Sequence, residues 1–132
     1  MPYRKRRVFV SFDFDNDARL KDFIIGQSRL TDSPFTVTDM SLKEAAPEAT
    51  WQDKALTAIR RSDSVLVMVG PATYKAPGVL KEIKMARDEK KDIFQVIGYT
   101  DGNYTAVADA GRLYSWSWEN LKKLLAEVWS TV

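Results

Sequence analysis

SVLVMVGPATYKAPGVLKEIKMA, residues 64–86, decides the fold. Ser64 to Val69 is a near-unbroken apolar run, which suits a strand covered on both faces in a parallel sheet. Gly70-Pro71 ends the run. A polar loop with Thr73, Tyr74 and Lys75 leads to Pro77, a residue suited to the first turn of a helix. In the helix that follows, Leu80, Ile83 and Ala86 recur at three-residue spacing and are expected to face the sheet. Glu82 then lies early in the helix, near the carboxyl edge of the sheet, where open α/β proteins place their ligands.

The same alternation of strand and helix extends in both directions. Upstream, Arg7 to Phe12 reads as the first strand, and Asp13 to Asp17 as an acidic turn suited to the positive end of a helix dipole. Leu20, Phe23, Ile24 and Gln27 trace one helical face to about Arg29. Phe35 to Thr38 is a short second strand closed by Asp39, and Met40 to Ala49 a loop. Thr50-Trp51-Gln52-Asp53 resembles a capping box opening a helix whose face is Trp51, Ala55, Ala58 and Ile59. Downstream, Ile93 to Ile97 is a fourth strand ended by Gly98. Thr100 to Gly111 holds two glycines, Asn103 and two aspartates, and reads as loop. Leu113 to Trp116 suits an edge strand, and Trp118, Leu121, Leu124, Leu125 and Val128 an amphipathic helix. These units predict one α/β domain over residues 1–132, flavodoxin-like, with a mainly parallel sheet of about five strands between helices.

Composition narrows the chemistry. A chain of 132 residues with 45% apolar and 29% charged residues is ordinary globular material. Its net charge of +2 is too small to argue for nucleic acid. The dense basic run Arg4-Lys5-Arg6-Arg7 reads as a solvated tail over residues 1–6. Nothing approaches a membrane span or a secretory leader, and cysteine is absent, so a cytoplasmic protein is expected. Histidine is absent too. Together these absences exclude Ser-His and Cys-His nucleophiles and His- or thiolate-bound metals. The cluster Asp13, Asp15 and Asp17 lacks the glycine and distal glutamate of a calcium loop, and no metal or resident cofactor is expected. Carboxylates, hydroxyls, Lys, Arg and aromatics are left to do any chemistry.

Several owners of this sheet fall away at the site. Flavodoxins need a Ser/Thr-rich phosphate loop after strand one, where Asp13-Phe14-Asp15-Asn16-Asp17 would repel phosphate. Receiver domains need an acceptor Asp after strand three, where Gly70-Pro71 stands. No Walker lysine and no GxGxxG follows any strand. What remains is the ordered set RVFVSFDFDND, TVTDM, WQDKALTAIRRSDSVLVMVG and VLKEIKMARDEKKDIFQVIGY. From about Arg7 to Val128 this set resembles TIR domains, in particular the small bacterial TIR-like proteins of Thoeris anti-phage defence. The stretch TYK…VLKEI…A followed by a strand is its most specific part.

The resemblance implies an enzyme that hydrolyses or cyclises NAD to an ADP-ribose-type signal, with NAD as substrate and not as bound cofactor. It makes Glu82 the catalytic residue beside the nicotinamide ribose. Phe12, Asp13 and Asp39 match positions that line the pocket, with Thr73 and Tyr74 as further substrate-binding candidates. Met40 to Thr50 matches a loop that gates the pocket and mediates self-association. A downstream nucleotide-sensing effector is the implied partner, with no nucleic acid or membrane. One departure stands out: many NAD-cleaving relatives carry tryptophan four residues before the glutamate, and this chain has Gly78. Tyr74 and Trp51 are the aromatics that could take that role.

Each candidate also has a plainer reading. Glu82 among Lys75, Lys81 and Lys84 fits a wet helix face, and Asp13 fits a helix N-cap. Asp39 could merely cap its loop, and Thr73 and Tyr74 are ordinary loop residues. Two other functions therefore stay open at this point: a TIR interaction scaffold without catalysis, which Gly78 favours, and a nucleoside deoxyribosyltransferase-like enzyme.

Overall fold

The computed structural model describes residues 3–31, 33–38, 48–98, 104–115, 117–125 and 128–129. Five strands form one all-parallel sheet: β2 (Arg6–Phe12), β3 (Phe35–Val37), β4 (Ser64–Val69), β5 (Asp92–Ile97) and β6 (Leu113–Tyr114), in the order β3-β2-β4-β5-β6. Helices α1 (Phe14–Ser28), α2 (Glu48–Arg61), α3 (Pro77–Asp88) and α4 (Trp118–Leu124) connect or follow them. The order is the flavodoxin-like one in which the chain leaves β2 to one side, then returns to its other side as β4. The β2–β4 boundary is therefore the switch point at whose carboxyl end a crevice is expected.

Period-two alternation sorts β2 between two apolar layers. Val8, Val10 and Phe12 pack with Leu20 and Ile24 of α1 and with Leu121 and Leu125. Phe9 packs on the opposite face with Ala55 and Ile59 of α2 and with Val79, Ile83 and Ala86 of α3. Ser11 shares the parity of Phe9. The central strand β4 is buried at every position, Leu66 and Met68 on one side and Val65, Val67 and Val69 on the other. Its unbroken apolar run thus has the double-sided cover the sequence predicts.

Four expectations are revised. Val79, not Leu80, completes the sheet-facing stripe of α3, and Leu80 is 40% exposed. Helix α2 starts at Glu48, so Thr50 and Asp53 lie within its first turns and do not form its cap. Helix α4 stops at Leu124, and Val128 belongs to a strand, β7 (Val128–Trp129), paired antiparallel with β1 (Tyr3–Arg4). The basic run is likewise built in: both terminal nitrogens of the Arg4 guanidinium donate to Asp63, at 2.7 and 2.8 Å. Among the described residues no helix is long and apolar enough to cross a membrane.

Candidate active site

Helix α3 begins at the carboxyl edge of β4 and runs back across the sheet. Pro77 sits in its first turn with Ala76 as cap, so the start lacks one amide donor that would have gone unused in any case. Val79, Glu82, Ile83 and Ala86 form its buried face. Glu82 therefore occupies a sheet-facing position among aliphatic neighbours. It is 0% exposed, so the wet-face reading with Lys75, Lys81 and Lys84 is wrong; Lys81 and Lys84 are exposed on the other side of the helix. Spacing misses this because Leu80 and Val79 compete for the same stripe, and choosing Leu80 leaves Glu82 about 100° away from the stripe's centre.

Across the layer, Ser11 of β2 donates its hydroxyl to Glu82 Oε1 at 2.7 Å, and Ser11 is itself 0% exposed. Ser11 lies one residue before the carboxyl end of β2 and pairs in register with Val67 of β4. The hydroxyl–carboxylate pair thus sits just below the switch point, where the topology places ligands. Sequence reasoning missed Ser11. The available signal was a polar residue at an inward position of an otherwise apolar strand.

The remaining candidates scatter. Asp13 follows β2 directly and is buried at the N-cap position of α1, where the plainer reading puts it, although its side chain makes no capping bond to the helix amides. Phe12 points into the opposite layer against α1, because the pleat alternates, so its ring is not brought to Glu82. Thr73 is buried in the single 3-10 turn Thr73–Lys75, and its hydroxyl accepts the Gly70 amide at 2.7 Å, a contact that shapes the loop after β4. Tyr74 is exposed, with the Lys75 ammonium 5.9 Å from its ring centre. Asp39 and most of the expected gating loop lie outside the described residues; 48–50 open α2.

The two aromatics offered in place of the missing tryptophan are separated clearly. Trp51 of α2 is 9% exposed, and a Cβ built on Gly78 would lie 3.3 Å from its Cζ2. Gly78 and Glu82 are four residues apart and share a helix face. The indole consequently rests on α3 one turn before the carboxylate, in the space that a side chain at 78 would otherwise claim. Tyr74 has no comparable seat.

A cavity of about 350 Å³ lies elsewhere, between the end of α3 and the loop before β6, lined by Arg87, Lys90, Lys91, Asp92, Ile93, Asp109 and Gly111. It opens at the amino edge of β5 and does not include Glu82. Among the described residues no group of three His, Asp or Glu side chains is placed to hold a metal ion.

Residues 9–101, more than half of the chain, match the family model described as Thoeris protein ThsB, TIR-like domain. The chain belongs to the Thoeris ThsB TIR-like family. Comparison with the curated proteins finds no match. Membership accounts for the parallel sheet and places this TIR-like module in anti-phage defence.

Proposed function

We propose that this ThsB-type TIR-like protein cleaves the N-glycosidic bond of NAD, with Glu82 as the catalytic carboxylate. The observation that supports the reading is Glu82 itself: an acid at 0% exposure on the sheet-facing side of a helix, tied to Ser11 beneath the switch point. Packing alone would favour an apolar residue there, because taking a carboxylate out of water costs several kcal/mol. Costly titratable groups of this kind concentrate at functional sites.

The chemistry needs little else. Nicotinamide leaves with the pair of electrons of the C–N bond as a neutral pyridine, so acid catalysis is unnecessary. Positive charge gathers on the ribosyl carbon and ring oxygen, as in glycoside hydrolysis. A preorganised carboxylate facing that charge, or bonded to a ribose hydroxyl, stabilises the transition state more than the ground state. Water then forms the new C–O bond and loses a proton to give ADP-ribose, or an adenine nitrogen closes a cyclic isomer. The enclosure of Glu82 suits this step, since a dry site strengthens the charge interaction and limits competing solvent. It also requires the carboxyl edge to open when substrate enters. Trp51 supplies an aromatic wall beside the carboxylate in place of a residue at Gly78.

The product would act as a signal for a nucleotide-sensing effector, and assembly through TIR surfaces would favour the closed, active edge. A non-catalytic interaction module is the second reading, favoured by Gly78 at the position where many NAD-cleaving relatives carry tryptophan. Incubating the protein with NAD and separately with deoxynucleosides, and resolving products by chromatography, separates the readings. Nicotinamide release is expected from wild type, and Glu82→Gln is expected to lower it by about 100- to 1000-fold. Turnover of Glu82→Gln at the wild-type rate overturns the assignment.

A further inference from the structure

We propose that Ser11 is a positioning residue for the reaction: its hydroxyl fixes the Glu82 carboxylate against the developing ribosyl charge. The inference rests on the catalytic reading of Glu82 and adds a second residue, from a strand 71 positions away in sequence.

Neither the sheet nor the helix needs this pair. Ser11 is an inward residue of β2, on the face where Phe9 packs, and its ladder partner in β4 is Val67. An alanine or valine at 11 would continue that surface. Glu82 shares its helix face with Val79, Ile83 and Ala86, where methionine or leucine would fit. Both residues are wholly buried, so each polar group gives up water, and the 2.7 Å bond offsets part of that cost.

A hydroxyl donor does something specific for a carboxylate. Glutamate has three side-chain torsions, and its terminal one is broad, so an untethered carboxylate rotates freely. On a helix, long side chains lean back toward the helix N-terminus, which here is the carboxyl edge of the sheet. Ser11 Oγ holds Oε1 at that lean and so fixes the carboxylate plane. The chemistry then falls on a group that needs no reorganisation at the moment charge develops. Tethering from a strand, rather than from a loop, gives the anchor the rigidity of the sheet centre.

The test compares nicotinamide release by wild type, Glu82→Gln, Ser11→Cys, Ser11→Ala and Ser11→Thr, below the unfolding temperature of each variant. Cysteine nearly matches serine in volume but is a weak donor, so it separates the hydrogen bond from the packing. Ser11→Cys and Ser11→Ala are expected to lower kcat by about 10- to 100-fold, with KM within a factor of about two, the size of a lost hydrogen bond to a charged group. Ser11→Thr keeps the hydroxyl and is expected to restore kcat to within about threefold of wild type. Wild-type kcat in Ser11→Cys, alongside an inactive Glu82→Gln, overturns the role of Ser11 and leaves that of Glu82 intact. Loss in the cysteine variant through KM alone, or no recovery with threonine, also overturns it. An inert wild type, or an unimpaired Glu82→Gln, instead removes the catalytic reading and the positioning role with it.

Discussion

At the scale of single residues, the Ser11–Glu82 pair is expensive to bury and replaceable by apolar side chains, which makes its stability a diagnostic of its purpose. Removing only the hydroxyl leaves a carboxylate in an apolar layer without its Ser11 donor, so Ser11→Ala is expected to destabilise by about 1 to 3 kcal/mol. Replacing both groups, as Ser11→Ala with Glu82→Met, abolishes the desolvation cost altogether. The double variant is expected to be at least as stable as wild type, and a gain of up to a few kcal/mol is in the range seen for such swaps. Urea unfolding of the wild type, both singles and the double gives the coupling directly. A double variant weaker than either single would mean the pair is there to hold the fold. Stability gained with turnover lost is the pattern expected of a site maintained for chemistry.

At the scale of elements, the loop before β6 shows what holds an irregular segment in place. Gln95 of β5 is buried, donates from its amide nitrogen to Val107 and Gly111 carbonyls at 3.0 and 2.7 Å, and accepts the Val107 amide at 2.7 Å. Gly111 completes the turn at φ 81°, where a Cβ would stand 2.7 Å from the Ile93 carbonyl oxygen. Gln95→Leu strands those backbone groups and is expected to cost about 2 to 4 kcal/mol; Gly111→Ala adds left-handed strain and a backbone clash, for about 1 to 3 kcal/mol. Thermal unfolding checks both, and a change under about 0.5 kcal/mol in either refutes this account. This element also marks the limit of what the chain reveals by itself. Strand β4 is legible because double-sided burial leaves a near-unbroken apolar run, β2 and β5 because apolar residues dominate them, and α2 because Trp51, Ala55 and Ile59 keep helical spacing. Helix α3 is legible as a helix but not in its rotation, since Val79-Leu80 offers two stripes and only packing selects one. Ser11 and Gln95 are legible only as polar residues in apolar strands; which groups they bond is not, because those partners lie 71 and at least 12 positions away along the chain. The family resemblance carries Glu82; periodicity alone puts it in water.

At the scale of the whole molecule, the basic run that reads as a solvated tail is part of a clasp. Strand β1 pairs with β7, and Arg4 reaches from β1 to the turn between α2 and β4. There Asp63 accepts both Arg4 nitrogens and also the Arg7 amide at 2.8 Å, with Arg7 Nε at 3.6 Å. The Arg4 hydrogen bonds are the largest cause holding the Asp63 carboxyl far below the usual carboxylate range, and the Arg7 amide adds to them against partial burial. Because the folded-state value lies below the unfolded one, near 3.9, the clasp contributes its full stability above about pH 4 and loses it as pH falls toward the folded-state value. Asp63→Asn keeps the shape but turns one acceptor oxygen into a donor facing arginine. It is expected to cost about 1 to 2 kcal/mol at neutral pH, a partly exposed pair being worth less than a buried one. The cost should shrink as pH falls below 4, since protonation of this aspartate in the unfolded chain then erodes the wild type's advantage while the folded clasp keeps its charge. Unfolding free energies of both proteins at pH 7, 5, 4 and 3 give the comparison, with a converging difference expected; a pH-independent gap would assign the effect of Asp63 to shape and not to its charge.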